Sequence, residues 1–481
     1  MSTTVIRRQQ KRSRGALLIL VLVMGGVFMT ILTSFVGYVI TQNRIVNFRY
    51  EQHRATDIAE AGLNYYKWYL AHYPSDVTDG TGLPGPYVHV YNDPEGGPIG
   101  EFSLSISSST YCGSVASIEV TSSAFTYANP GAVSTVSARY SRPTVAEYSF
   151  ITNGSVWYGS DRVISGPVHS NQGIRMDGHH NSFVGSGQAT WTCTSSFGCN
   201  PNQNVDGVYT TGGNATPGLF SFPTSPVDFA GLTLDLNDMK NKAKNSGGIY
   251  YGPSGSYGYQ VIFNGDNTVT IRKITNTTSY WAYSSEEGWH NTERNVISAS
   301  SFVATKTIDT ACPLLFFEDK VWLEGDVSQK VALAAANLSL GSQTNIVVNN
   351  NVNYVGTDAG LVAIAEDDID IGLKVPDNLQ VNGIYIAQNG RFGRNHYVTS
   401  GGYGLPSSLD PYVCQDTLTR YGSVVSNGRV GTKWTGTSCG SYSSGFENRV
   451  TSFDQNQVND PPPLTPETSD VYLFTEWKQE G

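Results

Sequence analysis

Four carboxylates between residues 366 and 370 come closest to catalytic chemistry in this chain. They are Glu366, Asp367, Asp368 and Asp370. A pair of such groups could act as acid and base on a glycan, and their oxygens could also bind calcium. Successive side chains of a strand alternate between its faces, so this spacing divides the four between two faces. We therefore favour a solvated turn and strand rim, and predict a chain that is not an enzyme and needs no metal or cofactor.

Three histidines were weighed as metal ligands. His179 and His180 are adjacent, so on a strand they would point in opposite directions, and they lie in a turn-like Asp-Gly-His-His-Asn stretch. We predict a surface loop there and no metal site at His169. The chain has no Gly-x-Ser-x-Gly, His-Glu-x-x-His or EF-hand motif. Several aromatic residues could stack on sugars, although core or rim packing is the favoured interpretation: Trp157, Tyr158, Trp191 and Tyr257.

The cysteines form the third set of reactive residues. Zinc is disfavoured because there is no Cys-x-x-Cys and no histidine pair at metal spacing. An even number in an exported segment indicates disulfides. Two pairs are close in sequence and one pair remains: Cys193 with Cys199, Cys414 with Cys439, and Cys112 with Cys312.

Export follows from the amino-terminal elements. Residues 16–43 contain no charged side chain, and the about 25 mostly apolar residues from Ala16 to Ile40 exceed the roughly 30 Å core of a bilayer when helical. Five basic residues and no acidic one lie between positions 7 and 14. Positive charge stays on the cytoplasmic side, so we predict one membrane span with the amino terminus in the cytoplasm and the carboxy-terminal part outside.

Two short motifs at the two ends of this helix point to a family. The basic stretch ends in Gly15 and the apolar helix begins at Ala16, which resembles a type IV prepilin leader. Residues Ala59-Glu60-Ala61-Gly62-Leu63 resemble the Ala-Glu-Ala-Gly signature of PilX-type minor pilins. The resemblance covers about residues 7–72. It implies cleavage after Gly15 by a prepilin peptidase, and assembly with other pilin subunits through the helix.

One position departs from that pattern. Most major pilins carry a glutamate five residues after the cut, where this chain has Leu20. The departure points toward a minor, priming or tip subunit, and leaves a plain signal anchor as an alternative.

Beyond the membrane the helix becomes amphipathic and is predicted to end before Pro74, because proline cannot donate to the helix ladder. Its apolar stripe could pack on the chain's own domain or on neighbouring subunits. The members of the stripe recur at steps of three, four or seven: Phe48, Ala55, Ile58, Ala59, Leu63, Tyr66 and Leu70.

Composition indicates a mainly β exported part. The chain has 51 Gly and 28 Tyr against 15% charged residues, which is typical of strands and turns. The formal net charge is −10, and loss of the five basic residues of the leader would make it −15. This balance disfavours nucleic-acid binding.

Periodicity divides the chain into parts. Runs of alternating apolar and polar residues predict a pilin-like β headpiece. Short strands between turns predict a β-solenoid, with a β-sandwich as the alternative. A helix-like run from Leu234 is followed by a predicted hairpin that turns at Asn264-Gly265. The predicted boundaries are: leader 1–15, helix 16–72, headpiece 73–145, solenoid 146–228 and 311–458, small α/β insertion 229–310, and Pro-rich spacer with tail 459–481.

Three hypotheses of function result. The first is a minor pilin or pseudopilin that displays a large β-domain for assembly priming, adhesion or contact with a surface glycan or protein. The second is a membrane-anchored extracytoplasmic enzyme acting on polysaccharide. The third is a signal-anchored surface adhesin unrelated to pili.

Overall fold

A helix of 59 residues leads the structure. The structure is a computed structural model that describes residues 14–74, 76–232, 235–338, 343–400, 403–469 and 471–480. Helix α1 (Arg14–His72) ends two residues before Pro74, as expected of a residue that cannot continue the helix ladder. The predicted leader before Arg14 lies outside the described residues, as does Leu234.

An antiparallel sheet packs on the second half of α1. Its strands are long because polar and apolar residues alternate over more than ten positions, so one face is apolar. Ile58, Leu63 and Tyr66 of the helix share a core with Leu104 and Val120 of the sheet. In chain order its first four strands are neighbours: β1 (Tyr87–Asn92), β2 (Pro98–Tyr111), β3 (Ser114–Thr126) and β4 (Asn129–Ser141). We call α1 from Ala55 onward together with this sheet the headpiece.

The strands that follow, most of them shorter, form what we call the large domain, residues 145–469. In chain order they are β5 (Phe150–Thr152), β6 (Val156–Tyr158), β7 (Arg162–Ser165), β8 (Val168–Ser170), β9 (Ile174–Met176), β10 (His179–His180), β11 (Val184–Ser186), β12 (Thr190–Cys193), β13 (Gln203–Asp206), β14 (Val208–Tyr209), β15 (Phe220–Ser221), β16 (Ile249–Tyr251), β17 (Gly258–Asn264), β18 (Thr268–Ser284), β19 (Gly288–Thr307), β20 (Leu314–Phe317), β21 (Val321–Val327), β22 (Lys330–Ala335), β23 (Ile346–Tyr354), β24 (Gly360–Ala365), β25 (Ile369–Ile371), β26 (Asn378–Asn382), β27 (Ile384–Ala387), β28 (Phe392–Gly393), β29 (Cys414–Tyr421), β30 (Val424–Ser426), β31 (Lys433–Trp434) and β32 (Ser444–Ser452).

Helices in the large domain are short. Helix α3 begins at an aspartate, Asp235, whose carboxylate accepts hydrogen bonds from the backbone N–H groups of Asn237 and Asp238, which caps the first turn. The α-helices are α2 (Phe229–Leu232), α3 (Leu236–Asn245) and α4 (Gln455–Asn459). The 3₁₀ helices are Val145–Glu147, Ser195–Phe197, Pro217–Leu219 and Ser407–Tyr412.

Two large sheets form the large domain. The first has ten strands in the order β15-β11-β8-β5-β30-β27-β24-β22-β20-β16, all parallel to their neighbours. The second has thirteen, with the main order β10-β7-β32-β29-β26-β23-β21-β17-β18-β19. It is parallel as far as β17 and antiparallel across β17, β18 and β19. A three-stranded sheet (β14-β9-β6) and a two-stranded sheet (β12-β13) complete the set.

The ten-stranded sheet is buried on both faces. Leu333 and Ala363 point into a core shared with Val348 of the thirteen-stranded sheet, whereas Ala332 faces the other way and packs near Met239 of α3. Burial on both faces explains why these strands are continuous apolar runs rather than alternating ones.

The last strand returns to the headpiece. Strand β33 (Leu473–Glu480) pairs antiparallel with β4, so the large domain is inserted between two neighbouring strands of one sheet. The sequence left open a closing strand or a docked tail, and the structure forms the strand. In the predicted Pro-rich spacer, Pro461, Pro462 and Pro463 are buried.

The predicted small α/β insertion at 229–310 contributes strands to both large sheets. Strand β16 extends the ten-stranded sheet through β20, and β17 extends the thirteen-stranded sheet through β21. Period-two patterns identify strands but not their partners, so these strands could not be assigned to the same sheets as the residues after 311. The antiparallel β17–β18 pair does turn after Asn264.

Candidate functional site

The residues of the predicted processing site lie at the start of α1. The helix begins at Arg14 and therefore includes the backbone of Gly15 and Ala16. The side chains of Arg14 and Ala16, and all residues before position 14, lie outside what the structure describes. Cleavage after Gly15 stays a prediction.

The first half of α1 presents an apolar surface to its surroundings. Leu20, Phe28 and Val46 are 63%, 61% and 60% exposed. The helix is long and apolar enough to cross a bilayer, with a mean hydropathy of 2.5 in its most apolar window. This surface is compatible with a single-pass membrane anchor.

The second half of α1 packs on the protein's own sheet. Ala59 and Leu63 of the predicted helix signature are buried in the headpiece core, whereas Glu60 is exposed and Ala61 is half-buried. The hydroxyl of Tyr140 on β4 donates to the carbonyl oxygen of Leu63 at 2.5 Å. The apolar side of the signature therefore packs within the headpiece, and Glu60 on its polar side is exposed.

Gly62 is the closest contact point between helix and sheet. A Cβ at this position would lie 2.5 Å from the Ser122 hydroxyl oxygen and 2.8 Å from the Phe102 ring. Both distances are well inside van der Waals contact, so the signature's glycine allows α1 to lie directly against β2 and β3.

The loop after α1 ties the end of the helix to β1. Buried Asp79 accepts a hydrogen bond from Tyr65 at 3.1 Å and pairs with His89 at 2.6 Å. The hydroxyls of Thr78 and Tyr69 donate to Asp76 and lower the pKa of that carboxyl to about 2. Sequence reasoning missed this loop, because its partners come from two separate elements.

The six cysteines form three disulfides: Cys112–Cys312, Cys193–Cys199 and Cys414–Cys439. The second and third each close a loop within the large domain. The Cys112–Cys312 disulfide joins the headpiece to the large domain. Cys112 lies in the turn between β2 and β3, and Cys312 lies two residues before β20.

Arg391 lies beside two of the four carboxylates, Asp368 and Asp370. Its backbone N–H donates to Asp368 at 2.6 Å, its Nε donates to Glu286 at 3.1 Å, and its Nη2 lies 3.7 Å from Asp370. Glu366 instead accepts from the backbone of Asn337.

The predicted solvated rim is wrong for Asp370, which is 5% exposed. Strand β25 carries it into the thirteen-stranded sheet, beside Arg391. Burial raises the pKa of Asp370 to about 7 and that of Asp367 to about 6. Asp370 is therefore enclosed by the protein rather than solvated.

The surface-loop prediction for the histidines is wrong for His180. His179 and His180 form β10, and His180 is 7% exposed. Its Nε2 accepts a hydrogen bond from the backbone N–H of Thr216 at 3.0 Å, so it is a packed core residue. His169 is also buried, and burial lowers the pKa of its imidazole. Among the described residues, no group of three or more His, Cys, Asp and Glu side chains could hold a metal ion.

The aromatic residues considered for sugar stacking are mostly packed. Tyr158 and Trp191 are 0% and 8% exposed, and Trp157 and Tyr257 are half-buried. The more exposed aromatic pair is Trp289 with Tyr403, whose rings stack at 5.4 Å. Sequence reasoning missed it because the two residues come from distant segments.

Comparisons with known proteins identify no family. No protein-family model matches the chain, and no curated protein matches it. Among solved structures, the chain is similar to the competence-associated pilin ComZ from Thermus thermophilus, with a TM-score of 0.31 and 13% sequence identity. That match covers 89% of this chain and 97% of the other.

Proposed function

We propose that this chain is a minor pilin or pseudopilin, of the PilX-like type, in a type IV filament system. In this proposal a prepilin peptidase removes the leader after Gly15. The exposed half of α1 then leaves the membrane and packs among the helices of other pilin subunits. The large domain is displayed outside the cell for assembly priming, adhesion or contact with a surface glycan or protein.

The observation that carries the proposal is the division of α1 into two surfaces. Residues from Leu17 to Phe48 have exposed apolar side chains, while Ala55, Ala59 and Leu63 are buried in the headpiece. A plain anchor needs only the first surface. A pilin subunit must exchange lipid contacts for contacts with neighbouring helices without unfolding. A helix with one half packed on its own sheet and an exposed apolar surface on the other half meets this requirement.

The geometry of the insertion supports a display role. Since β5 pairs with β30, the chain joins and leaves the ten-stranded sheet at adjacent strands in its middle. The strands on either side of these two belong to the large domain, which is the part that would be displayed.

We further propose that the large domain is a β-solenoid. From β20 to β27 the chain passes back and forth between the two large sheets. Each pass adds a parallel strand beside the previous one in that sheet. These strands are β20, β22, β24 and β27 in the ten-stranded sheet and β21, β23 and β26 in the thirteen-stranded sheet. This succession is what stacked coils require. The role proposed here involves no catalysis, no cofactor and no nucleic acid, in keeping with the negative net charge.

The test is amino-terminal processing. The full chain would be expressed with and without a prepilin peptidase, and the terminus of the product determined by mass spectrometry. We expect a terminus at Ala16 in the presence of the peptidase, and an uncut chain for the Gly15→Val variant. Gly37→Val, also a glycine in the apolar half of α1, is the matched control and should be cut normally. An uncut wild-type chain with active peptidase would overturn the proposal.

A further inference from the structure

Three of the buried arginines of the large domain lie on neighbouring strands of one sheet. Arg162, Arg420 and Arg449 are 1%, 3% and 7% exposed, and we call them the core arginine cluster. Arg162 and Arg449 are opposite each other on the adjacent parallel strands β7 and β32. Arg420 is on β29, the next strand of the same sheet.

The carboxylate beside the cluster serves only one of its members. Asp161 accepts hydrogen bonds from Nε and Nη2 of Arg449 at 2.9 and 2.7 Å, and also pairs with Lys433 at 3.4 Å. Asp161 is also the one carboxylate among the described residues that strongly affect the charge of Arg162. No carboxylate is among the described residues that most strongly affect the charge of Arg420. Positive charge therefore exceeds negative charge in this part of the core.

Several donors of the cluster point at no acceptor in the described chain. Arg162 and Arg420 each donate through Nη2 to a threonine hydroxyl, at 3.3 and 2.8 Å. Nε and Nη1 of both arginines, and the hydroxyl of Tyr158, are buried without a partner. An unmade hydrogen bond costs more for a charged donor than for a neutral one.

These donors lie around one aromatic ring. The guanidinium carbons of Arg420 and Arg162 are 4.4 and 5.8 Å from the centroid of the Phe150 ring, and the Tyr158 ring is 5.0 Å from it. Strand β5, which carries Phe150, pairs with β30 on one side and with β8 on the other. These two strands directly follow β29 and β7, which carry Arg420 and Arg162. The ring faces compensate part of the charge, but they accept no conventional hydrogen bond from Nε or Nη1.

The chain itself offers no second counter-charge here. Burial raises the pKa of Tyr158, so its hydroxyl stays protonated and acts as a donor. Burial lowers the pKa of Arg420 to about 9, which still leaves it charged at neutral pH. Isolated buried charges are costly enough that proteins pair them or neutralise them.

We propose that the core arginine cluster binds a small monovalent inorganic anion of halide size, such as chloride, through the free N–H groups of both Arg162 and Arg420 and the hydroxyl of Tyr158. A halide fits because it accepts hydrogen bonds from several directions at once. The rings of Phe150 and Phe392 lie beside Arg420, with centroids 4.4 and 5.2 Å from its guanidinium carbon.

The first test locates the ion. Crystals of the full chain in detergent would be grown in bromide, which replaces chloride and scatters anomalously. We expect a peak within hydrogen-bond distance of guanidinium nitrogens of both Arg162 and Arg420. An anomalous map with peaks only at the surface, or ordered water at this position, would overturn the proposal.

The second test measures the ion's effect on stability. Thermal unfolding would be followed while gluconate, which is too large to enter, is replaced by chloride at constant ionic strength. Because a ligand that binds only the folded state stabilises it, the midpoint should rise by at least about 2 °C. The Arg420→Met variant removes one buried charge, so it should lose most of this dependence and be no less stable than wild type in gluconate.

Exposed Arg294 provides the matched control, since Arg294→Met removes the same charge from the surface. This variant should keep the full chloride response. Equal responses of wild type and Arg420→Met would mean that chloride acts elsewhere, and would count against the site even if both variants fold well.

Discussion

Cys112 and Cys312 are 200 residues apart in the chain and are joined by a disulfide. The backbone N–H of Cys112 also donates to the carbonyl oxygen of Ala311 at 2.9 Å. One partner belongs to the headpiece and the other to the large domain. The disulfide is therefore a covalent link across the junction, in addition to the two chain connections at β4 and β33.

Removing this disulfide should loosen the junction. In the chain-entropy description a link closing a loop of this length is worth about 5 kcal/mol, whereas one closing a loop as short as Cys193–Cys199 is worth about 2 kcal/mol. We expect the Cys112→Ser, Cys312→Ser double variant to unfold at a clearly lower temperature than wild type. The Cys193→Ser, Cys199→Ser variant is the control and should lose less than half as much. Equal losses would mean that Cys112–Cys312 does not constrain the junction.

A charge bridge crosses the same junction. Asp460 pairs with Lys330 of β22 and lies 3.4 Å from Arg139 of β4. Lys330 is 7% exposed, so loss of its carboxylate would leave a buried ammonium group poorly compensated. We expect Asp460→Asn to lower the free energy of unfolding by about 1–3 kcal/mol, measured by urea denaturation of the full chain.

The same lysine provides the control for that measurement. Asp358 lies 3.9 Å from Lys330, but its side chain is 83% exposed. Asp358→Asn should therefore change stability by less than about 0.5 kcal/mol. A loss as large as that of Asp460→Asn would show that net charge, rather than the buried bridge, decides the result.

Gly62 allows a prediction in which helix propensity and packing oppose each other. Alanine is favoured over glycine within a helix by up to about 1 kcal/mol, so propensity alone predicts that Gly62→Ala stabilises the protein. The contacts to Ser122 and Phe102 predict the opposite, a loss of about 1–3 kcal/mol from overpacking. Gly37→Ala is the control, because a Cβ there meets nothing within 4 Å. Thermal unfolding that shows the same sign for both variants would disprove the steric role of Gly62.

Local features of this fold could be predicted from the sequence because they depend on neighbouring residues. Pro74 indicated the end of α1, alternation indicated the headpiece strands, and Asn264-Gly265 indicated a hairpin. Cys193 and Cys414 each had a partner close in the chain. In each case the deciding interaction lies within a few turns or one hairpin.

What could not be predicted depends on the order in which strands stack. Nothing in the local pattern of Phe150 or Val424 indicates that their strands pair across nearly the whole length of the large domain. The environment of Asp370 follows from that order, since Arg391 lies beside it and is in turn bonded to Glu286 from a distant segment. A period of two indicates which face a residue occupies, but burial of that face depends on what the rest of the chain places against it.

The buried carboxylates give the protein a defined response to pH. An unfolded Asp370 ionises near 3.8, whereas the folded protein holds that proton up to about 7. The folded state thus binds more protons between these values, so its stability should fall as pH rises from about 4 to about 7 and then level off. Asp367, raised to about 6, acts in the same direction. Asp370→Asn cannot ionise and should reduce this fall by on the order of 2 kcal/mol, measured as the difference in unfolding free energy between pH 5 and pH 8. The exposed Asp206→Asn variant should keep the wild-type profile; a wild-type profile for Asp370→Asn as well would mean that Asp370 is already ionised at neutral pH and fully paired with Arg391.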